Sequence, residues 1–390
     1  MVDFFDNAEE AAFREVVRGF IAEHGEKGRV AGDLEGSTRE RLRPWREALV
    51  SRGWIAPAWP VEIGGAGLSL RQQFILNQEL AEHGLSNVGG LGVNFFGPAL
   101  LVHGTEEQKR EHLGALLRGE TVWAQGWSEP SAGSDLASLQ TRAIRQGDEY
   151  VVNGQKIWTS GAQYADMMYM LARTDPDAPK HRGISLLTFS LRQPGVSVRP
   201  LTTMDDRQPF NEVFFEDVHV PASDRVGDEN RGWYVGMTVT DFERSSIGSN
   251  VGAARRLREI VQIAREQPPQ QVPGAANSQW RAQLADRWVE ADVSKLFALR
   301  IVSMQSAGLI PNYEGSMAKV YLSELNQRIA RTALGLYGLY GQLWDADRPE
   351  AEAGAAVRGY LGAVSSTIAG GTSEIQRNIV ATRGLGLPRG

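Results

Sequence analysis

Cysteine is absent from this chain of 390 residues, which removes disulfides, thiolate metal sites and cysteine nucleophiles together. Lysine is scarce as well, at six of 41 basic residues, a bias that reads as genomic base composition rather than function. A basic excess is missing: the net charge of −6 and pI near 5.7 argue against a surface built for phosphate backbones. The six histidines, His24, His83, His103, His112, His181 and His219, show no close metal-ligand spacing, so no structural or catalytic metal is expected. The most apolar stretch, Val88 to Val102, is interrupted by glycines, Asn94 and Pro98 and is too short to span a bilayer. The opening Met1-Val-Asp-Phe-Phe-Asp6 lacks the basic start and apolar run of a secretory signal, and a cytoplasmic protein is the expectation. Three motifs are missing too. Gly65-Ala-Gly67 and Gly90-Leu-Gly92 supply only the first half of a dinucleotide-binding Gly-x-Gly-x-x-Gly, and neither Gly-x-Ser-x-Gly nor a P-loop occurs, so nicotinamide, hydrolase and NTPase readings lose their motifs.

What is present is ordinary for a soluble globular protein, 42% apolar and 23% charged, and long enough for two or three domains. Residues 1–120 read as helices. Glu9 to His24 sets Ala12, Phe13, Val16, Val17, Phe20 and Ile21 on one face, and Leu42 to Arg52, Gln72 to His83 and Thr105 to Leu117 follow. Trp54 to Gly67 is a Pro/Gly loop, and Thr105 suits an N-cap ahead of acidic residues. From 121 to 230 the pattern changes to short β-branched or aromatic runs, at Glu149–Val152, Met167–Leu171, Ile184–Phe189, Val196–Val198 and Glu212–Phe215. These predict a compact antiparallel sandwich or barrel. From 231 to 390 the pattern is helical again: Trp233 to Glu266 as one long segment closed by the Pro/Gln-rich Gln267–Gly274, then Gln279–Leu309, Ser316–Leu339, Glu350–Leu361 and Ser373–Arg383. That is the signature of an antiparallel bundle. The fold expected is α+β and multidomain, with an N-terminal helical domain, a middle β-barrel or sandwich and a C-terminal four-helix bundle.

Chemistry concentrates between Gln125 and Ser160. Gln125-Gly-Trp-Ser-Glu-Pro-Ser-Ala-Gly-Ser-Asp135 gathers hydroxyls and backbone amides in a glycine-bearing turn. Asn153-Gly-Gln-Lys-Ile-Trp-Thr-Ser160 offers a wide ring and adjacent hydroxyls after a turn signal, on what reads as a strand. From the residues alone, an ordinary turn and an ordinary core tryptophan remain open beside a cofactor site. The pair of motifs, however, resembles the flavin-binding middle domain of the acyl-CoA dehydrogenases. Thr105-Glu-Glu-Gln-Lys109 and Gly370-Gly-Thr-Ser-Glu-Ile-Gln-Arg377 resemble two further signatures of that family, in the right order.

The resemblance implies FAD as cofactor, an acyl-CoA substrate and an electron-transfer flavoprotein as acceptor. It places Trp127 and Ser128 at the flavin pyrimidine through their backbone, Ser134 at the phosphates, and Trp158, Thr159 and Ser160 against the flavin ring. It sets Thr372 and Glu374 near the ribityl and ribose hydroxyls. The α-proton needs a carboxylate base, so base and flavin must sandwich the acyl chain. In many members the base directly precedes the C-terminal Gly-Thr, where this chain has Gly370. Other members carry it on the first long helix of the C-terminal domain, and here that helix holds Glu243-Arg244, matching their Glu-Arg pair. Glu243 shares a helical face with Val239 and Ile247, and desolvation there would raise its pKa toward neutrality. The Gly370 N–H would remain to polarise the thioester carbonyl. The bland alternative is a solvated glutamate beside an arginine. A second departure concerns assembly. The family's cross-subunit Arg and Gln are replaced by Ala264-Arg-Glu-Gln-Pro-Pro-Gln270 and by Gly335, with Arg265 a displaced substitute for the Arg. Either a homotetramer or an α2β2 heterotetramer with a homologous subunit follows. Two competing readings are a non-catalytic acyl-CoA-binding subunit and a same-fold flavin oxidase or monooxygenase.

Overall fold

A computed structural model describes residues 5–29, 38–246, 251–266, 272–344 and 351–388, with the side chains of 38, 241–246, 251 and 351–355 outside that description. The N-terminal part contains α1 (Ala8–His24), α2 (Thr38–Arg41), α3 (Arg43–Ser51), α4 (Leu70–Glu82), α5 (Gly97–His103) and α6 (Glu106–Arg118). Three of these open on capping boxes, at Asn7/Glu10, Ser69/Gln72 and Thr105/Gln108, in which side chains satisfy the orphan N–H groups of a first turn. The N-cap expected at Thr105 is therefore present. Helix α5 takes up the end of the apolar Val88–Val102 stretch and closes on His103; glycines and Pro98 mask the helical pattern there. Pro98 follows directly on a π-turn over Gly92–Phe96 that runs into α5, and a widened turn of that kind accommodates the N–H that proline lacks.

The middle part holds β1 (Trp123–Gly126), β2 (Arg142–Gln146), β3 (Glu149–Lys156), β4 (Met167–Arg173), β5 (Ile184–Ser190), β6 (Val196–Leu201), β7 (Phe210–Pro221) and β8 (Arg225–Val226). Strand order is β6-β7-β3-β2-β4-β5-β8, with β1 beside β4. All five expected runs are strands, each longer than read. The expectation of a purely antiparallel sheet is corrected, since β1 pairs with β4 in parallel and β2 meets β4 in parallel through Arg142↔Arg173. That one-pair link joins two halves, β6-β7-β3-β2 and β1-β4-β5-β8. They enclose a common core containing Tyr150, Val152, Val213 and Phe215 from one half and Met168, Met170, Leu187 and Phe189 from the other.

Strand β4 alternates strictly. Met168, Met170 and Ala172 enter that inner core, while Tyr169 and Leu171 join a second core shared with Trp45, Trp54, Trp59, Phe96 and Leu100 of the N-terminal helices. Sheet and helices are thus welded along one apolar face.

The C-terminal part holds α7 (Gly232–Ser246), α8 (Val251–Glu266), α9 (Ser278–Ser306), α10 (Glu314–Tyr337), α11 (Ala351–Gly362) and α12 (Ser373–Ile379). The single helix expected over Trp233–Glu266 is described as two stretches, α7 and α8, and the residues between them, Ile247 included, lie outside the described set, as do 267–271 of the Pro/Gln-rich segment. The last helix ends at Ile379, and Val380–Gly384 continue as a π-turn. Helix α10 packs against α8, α9, α11 and α12, around Leu257, Trp280, Leu325, Ile329 and Leu336. Helix α7 belongs elsewhere. Its Val235 and Val239 enter the core shared by sheet and N-terminal helices, and Thr238 Oγ1 lies 2.9 Å from His103 Nε2 of α5.

Gly232 makes that docking possible. A Cβ there would stand 2.3 Å from the Leu186 nitrogen and 2.3 Å from the Ser185 carbonyl carbon, which is backbone that cannot yield. Gly232→Ala is expected to lower unfolding free energy by about 2 kcal/mol without changing the denaturant slope. Urea melts of the two proteins check this, and an unchanged midpoint would refute the close approach.

Candidate active site

The two chemistry-bearing motifs are stapled by a buried ion pair. Lys156, the last residue of β3, is 0% exposed, and its Nζ donates to Glu129 Oε1 at 2.8 Å and to the Trp127 carbonyl at 3.0 Å. Glu129 also accepts the Gln140 and Thr141 N–H groups at 2.6 and 2.9 Å. Beside it the Ile157 N–H donates to the Ser128 carbonyl at 2.9 Å. Burial pushes the Lys156 ammonium down to about 8, against the pull of Glu129. Burial pushes the Glu129 carboxyl up, but the Lys156 charge and the donors around it outweigh this and leave it below the usual range.

Trp158 lies two residues beyond the end of β3, not on the strand as expected, and its φ is +60°. A bulky residue in the left-handed region costs roughly 1–3 kcal/mol and persists only where the surroundings over-determine it. The residue is 57% exposed and its ring lies edge-on to Phe210 at 6.0 Å, which closes the core-tryptophan alternative. Ser160 is exposed, whereas Thr159 between them is buried, its hydroxyl unpaired among the described residues. Trp127 is half-buried, edge-on to Tyr169 at 5.5 Å. The Trp127 and Ser128 carbonyls accept from Lys156 Nζ and from the Ile157 N–H respectively. Ser134 is exposed beside Asp135, which pairs with Lys180 at 2.6 Å.

The third motif is positioned by contacts within the C-terminal domain. Gly370 and Gly371 have φ of +64° and +89°. The Gly370 carbonyl accepts from Gln376 Nε2 at 2.8 Å and the Gly371 carbonyl from Lys319 Nζ at 2.6 Å. Thr372 caps α12 by accepting the Ile375 N–H at 3.2 Å. Glu374 is exposed, its carboxyl held low first by its own N–H and then by Thr372. The side chains of Glu243 and Arg244 lie outside the described residues, but the backbone of α7 is described. A methyl built on Gly236 would lie 3.7 Å from the Trp127 ring, and position 243 follows on the same helical face two turns later, about 10 Å along the axis.

The structure therefore brings Trp127, Ser128, Trp158, Thr159 and Ser160 together and sets the start of α7 against Trp127. Sequence reasoning missed the residues that do the holding: Glu129, Lys156 and Asn211. Two opposite charges embedded in otherwise ligand-facing motifs were the available signal for the first two. No group of three or more His, Asp or Glu among the described residues gathers as a metal site, and no described helix is long and apolar enough to cross a membrane.

Helical, sheet and bundle parts in this order make a three-domain scaffold with an exposed indole and hydroxyls beyond the end of a strand. The chain belongs to the acyl-CoA dehydrogenase family, whose N-terminal, middle and C-terminal domain models match residues 7–120, 124–218 and 230–385. It is an oxidoreductase of FAD-dependent acyl-CoA dehydrogenation. Acyl-CoA dehydrogenase IpdE1 of Mycobacterium tuberculosis is 35% identical over 386 residues, 97% of each chain. The solved Tcur3481-Tcur3483 steroid ACAD matches with a TM-score of 0.85 at 33% identity, covering all of both chains. The ChsE4-ChsE5 complex from Mycobacterium tuberculosis matches with a TM-score of 0.82 at 34% identity, again over all of both chains.

A carboxylate with a depressed folded-state pKa stabilises above its unfolded value, and that contribution is lost as pH falls through the folded one. The Glu129 share of stability is therefore expected to be full above pH 4.5 and to disappear below it. The Lys156 shift acts in the same direction at higher pH: its folded-state value of about 8 lies below the ordinary 10.5, so the cost of burying the ammonium is present below about pH 8 and is relieved as pH rises toward 10.5. Glu129→Gln strands a buried ammonium and is expected to cost about 3 kcal/mol at pH 7, with a shallower acid limb than wild type. Melting temperatures from pH 3 to 7 measure both, and parallel limbs would show that the pair contributes nothing.

Proposed function

We propose that this chain is the base-bearing subunit of a heteromeric dehydrogenase, with FAD held between its middle and C-terminal domains, and that its domains divide near residues 120 and 230. Trp158 and Ser160, with the N–H groups of Trp127 and Ser128, would meet the flavin ring system. Ser134 would meet the phosphates, Thr372 and Glu374 the sugar hydroxyls, and Thr159 would contribute its unpaired hydroxyl. The residues suit the group: the indole is exposed at a strained backbone position, and the hydroxyls around it are mostly uncommitted. Bound FAD supplies the acceptor for the β-hydride.

The α-proton goes to Glu243. The carrying observation is the combination of Gly370 at φ +64°, which offers no carboxylate, with a helix α7 docked on Trp127 through the face that also holds position 243. Arg244 would orient the base or the substrate, and the Gly370 N–H would hydrogen-bond the thioester carbonyl. Glu243→Gln is expected to retain flavin and lose at least a hundredfold in anaerobic flavin reduction by substrate; stopped-flow reduction at wild-type rate would exclude Glu243 as the base.

A homologous partner subunit is supported by the heteromeric neighbours, whose names carry two components, and by Gly335 in place of the family's Gln. The C-terminal domain also leaves Ile310, Leu339 and Leu385 at 90, 82 and 70% exposure, apolar surface that a subunit contact would cover. A bulky acyl-CoA of steroid type is the substrate class favoured by the steroid ACAD neighbour, with an electron-transfer flavoprotein as acceptor and the cytoplasm as compartment. The chain expressed alone is expected to carry well under one FAD per subunit, and co-expression with a homologous chain to restore it. Full FAD content in the lone chain, by visible absorbance, would instead support a homotetramer.

A further inference from the structure

The strained turn at Trp158 needs something that keeps it in place, and one side chain does most of this. On its N-terminal side the Ile157 N–H is tied to Ser128, as described above. On its C-terminal side, Asn211 of β7 takes both backbone groups of Thr159. The Thr159 N–H donates to the Asn211 carbonyl at 3.1 Å, and Asn211 Nδ2 donates to the Thr159 carbonyl at 2.9 Å. The same amide also donates to Gln163 Oε1, and Gln163 in turn donates to the Gln208 carbonyl at 2.7 Å. Two residues before Asn211, the Pro209 carbonyl accepts the Gly161 N–H at 3.0 Å. Asn211 is 0% exposed, so no water replaces these bonds on demand, and a lost donor leaves a buried carbonyl unpaired.

The residue type is specific. Aspartate has the same reach but only acceptors, and would face two oxygens, those of Thr159 and Gln163. Serine is too short to span the gap, and glutamine is one methylene too long. The neighbouring Phe210 presents its ring to Trp158, so one strand end supplies both the wall behind the indole and the clamp beside it.

We propose that Asn211 is a positioning residue that holds Trp158 and Ser160 in the geometry that receives the flavin ring. This rests on the reading that those two residues face the flavin. It acts through Thr159 and touches no reacting atom.

The test is a double-mutant cycle on the full chain, with its partner subunit if flavin requires one. Asn211→Asp is made in the wild-type and Trp158→Gly backgrounds, with Asn211→Ser as the alternative should the aspartate variant fail to fold. Two quantities are read: FAD affinity by titration of the apoprotein, and hydrogen exchange of the Thr159 and Gly161 amides. Asn211→Asp is expected to weaken FAD about tenfold in the wild-type background and less than twofold where glycine has replaced Trp158, because glycine adopts φ +60° without strain. Exchange at 159–161 should accelerate at least tenfold. The same loss of affinity in both backgrounds would assign Asn211 a general structural role and overturn the proposal. Unchanged exchange with normal FAD binding by the wild type would overturn the clamp and leave the flavin reading intact. Accelerated exchange in a wild-type protein background that takes no FAD under any condition would overturn the flavin reading, and the positioning role with it.

Discussion

The buried pair of Lys156 and Glu129 is the interaction on which the candidate site depends. An ammonium with no solvent contact loses its hydration, and only an adjacent carboxylate with its own hydrogen bonds makes that tolerable. Here the carboxylate is saturated by two backbone N–H groups, and the ammonium spends a second bond on the Trp127 carbonyl. The consequence is geometric. Two segments separated in the chain are fixed side by side, and the groups they turn outward, an indole and several hydroxyls, keep a defined spacing. Replacing such a pair by apolar residues can leave stability intact, whereas removing one partner alone strands a buried charge.

A second constraint is the position of α7. By sequence it opens the C-terminal domain, yet its apolar side chains enter the core shared by the sheet and the N-terminal helices. Gly232 lets it start in van der Waals contact with the backbone of β5, and Gly236 lets it lie against Trp127. The helix that carries the candidate base is thereby referenced to the same tryptophan that belongs to the cofactor motif. Binding and proton abstraction need a common frame at ångström precision, and a helix anchored in the bundle alone would not provide it. Asn211 plays the same part on a smaller scale for the strained turn at Trp158.

Much of this was legible in the chain. The apolar period of 3.6 marked α1, α3, α4 and α6 because each helix buries a single stripe, and β-branched runs marked five strands because each buries alternate residues or both faces. Legibility failed where the local signal is weak or doubled. Helix α5 is hidden by Gly92 and Gly97, which serve close packing against Leu116 and Trp59 rather than turns. Strands β1, β2 and β8 are two to five residues long and acquire their conformation from partners. The parallel pairing of β1 with β4 is a long-range choice to which no periodicity points. Within the site, Trp158, Ser160 and Ser134 were visible as residue types suited to a flat, anionic ligand. Asn211 was not, because an asparagine in a strand carries no mark of what its amide will meet.

The sequence by itself determined the order of helical, sheet and bundle domains, the family, and the absence of a carboxylate at Gly370, since these rest on residue identity and on periods of a few residues. Tertiary structure decided the rest: that a lysine and a glutamate in separate motifs become one buried pair, that Trp158 is exposed on a strained backbone, and that Val235 and Val239 of α7 enter the core of the sheet and N-terminal helices. The physical reason is that burial, desolvation and hydrogen-bond satisfaction are properties of surroundings, and the surroundings of each of these groups are assembled from residues distant in the chain.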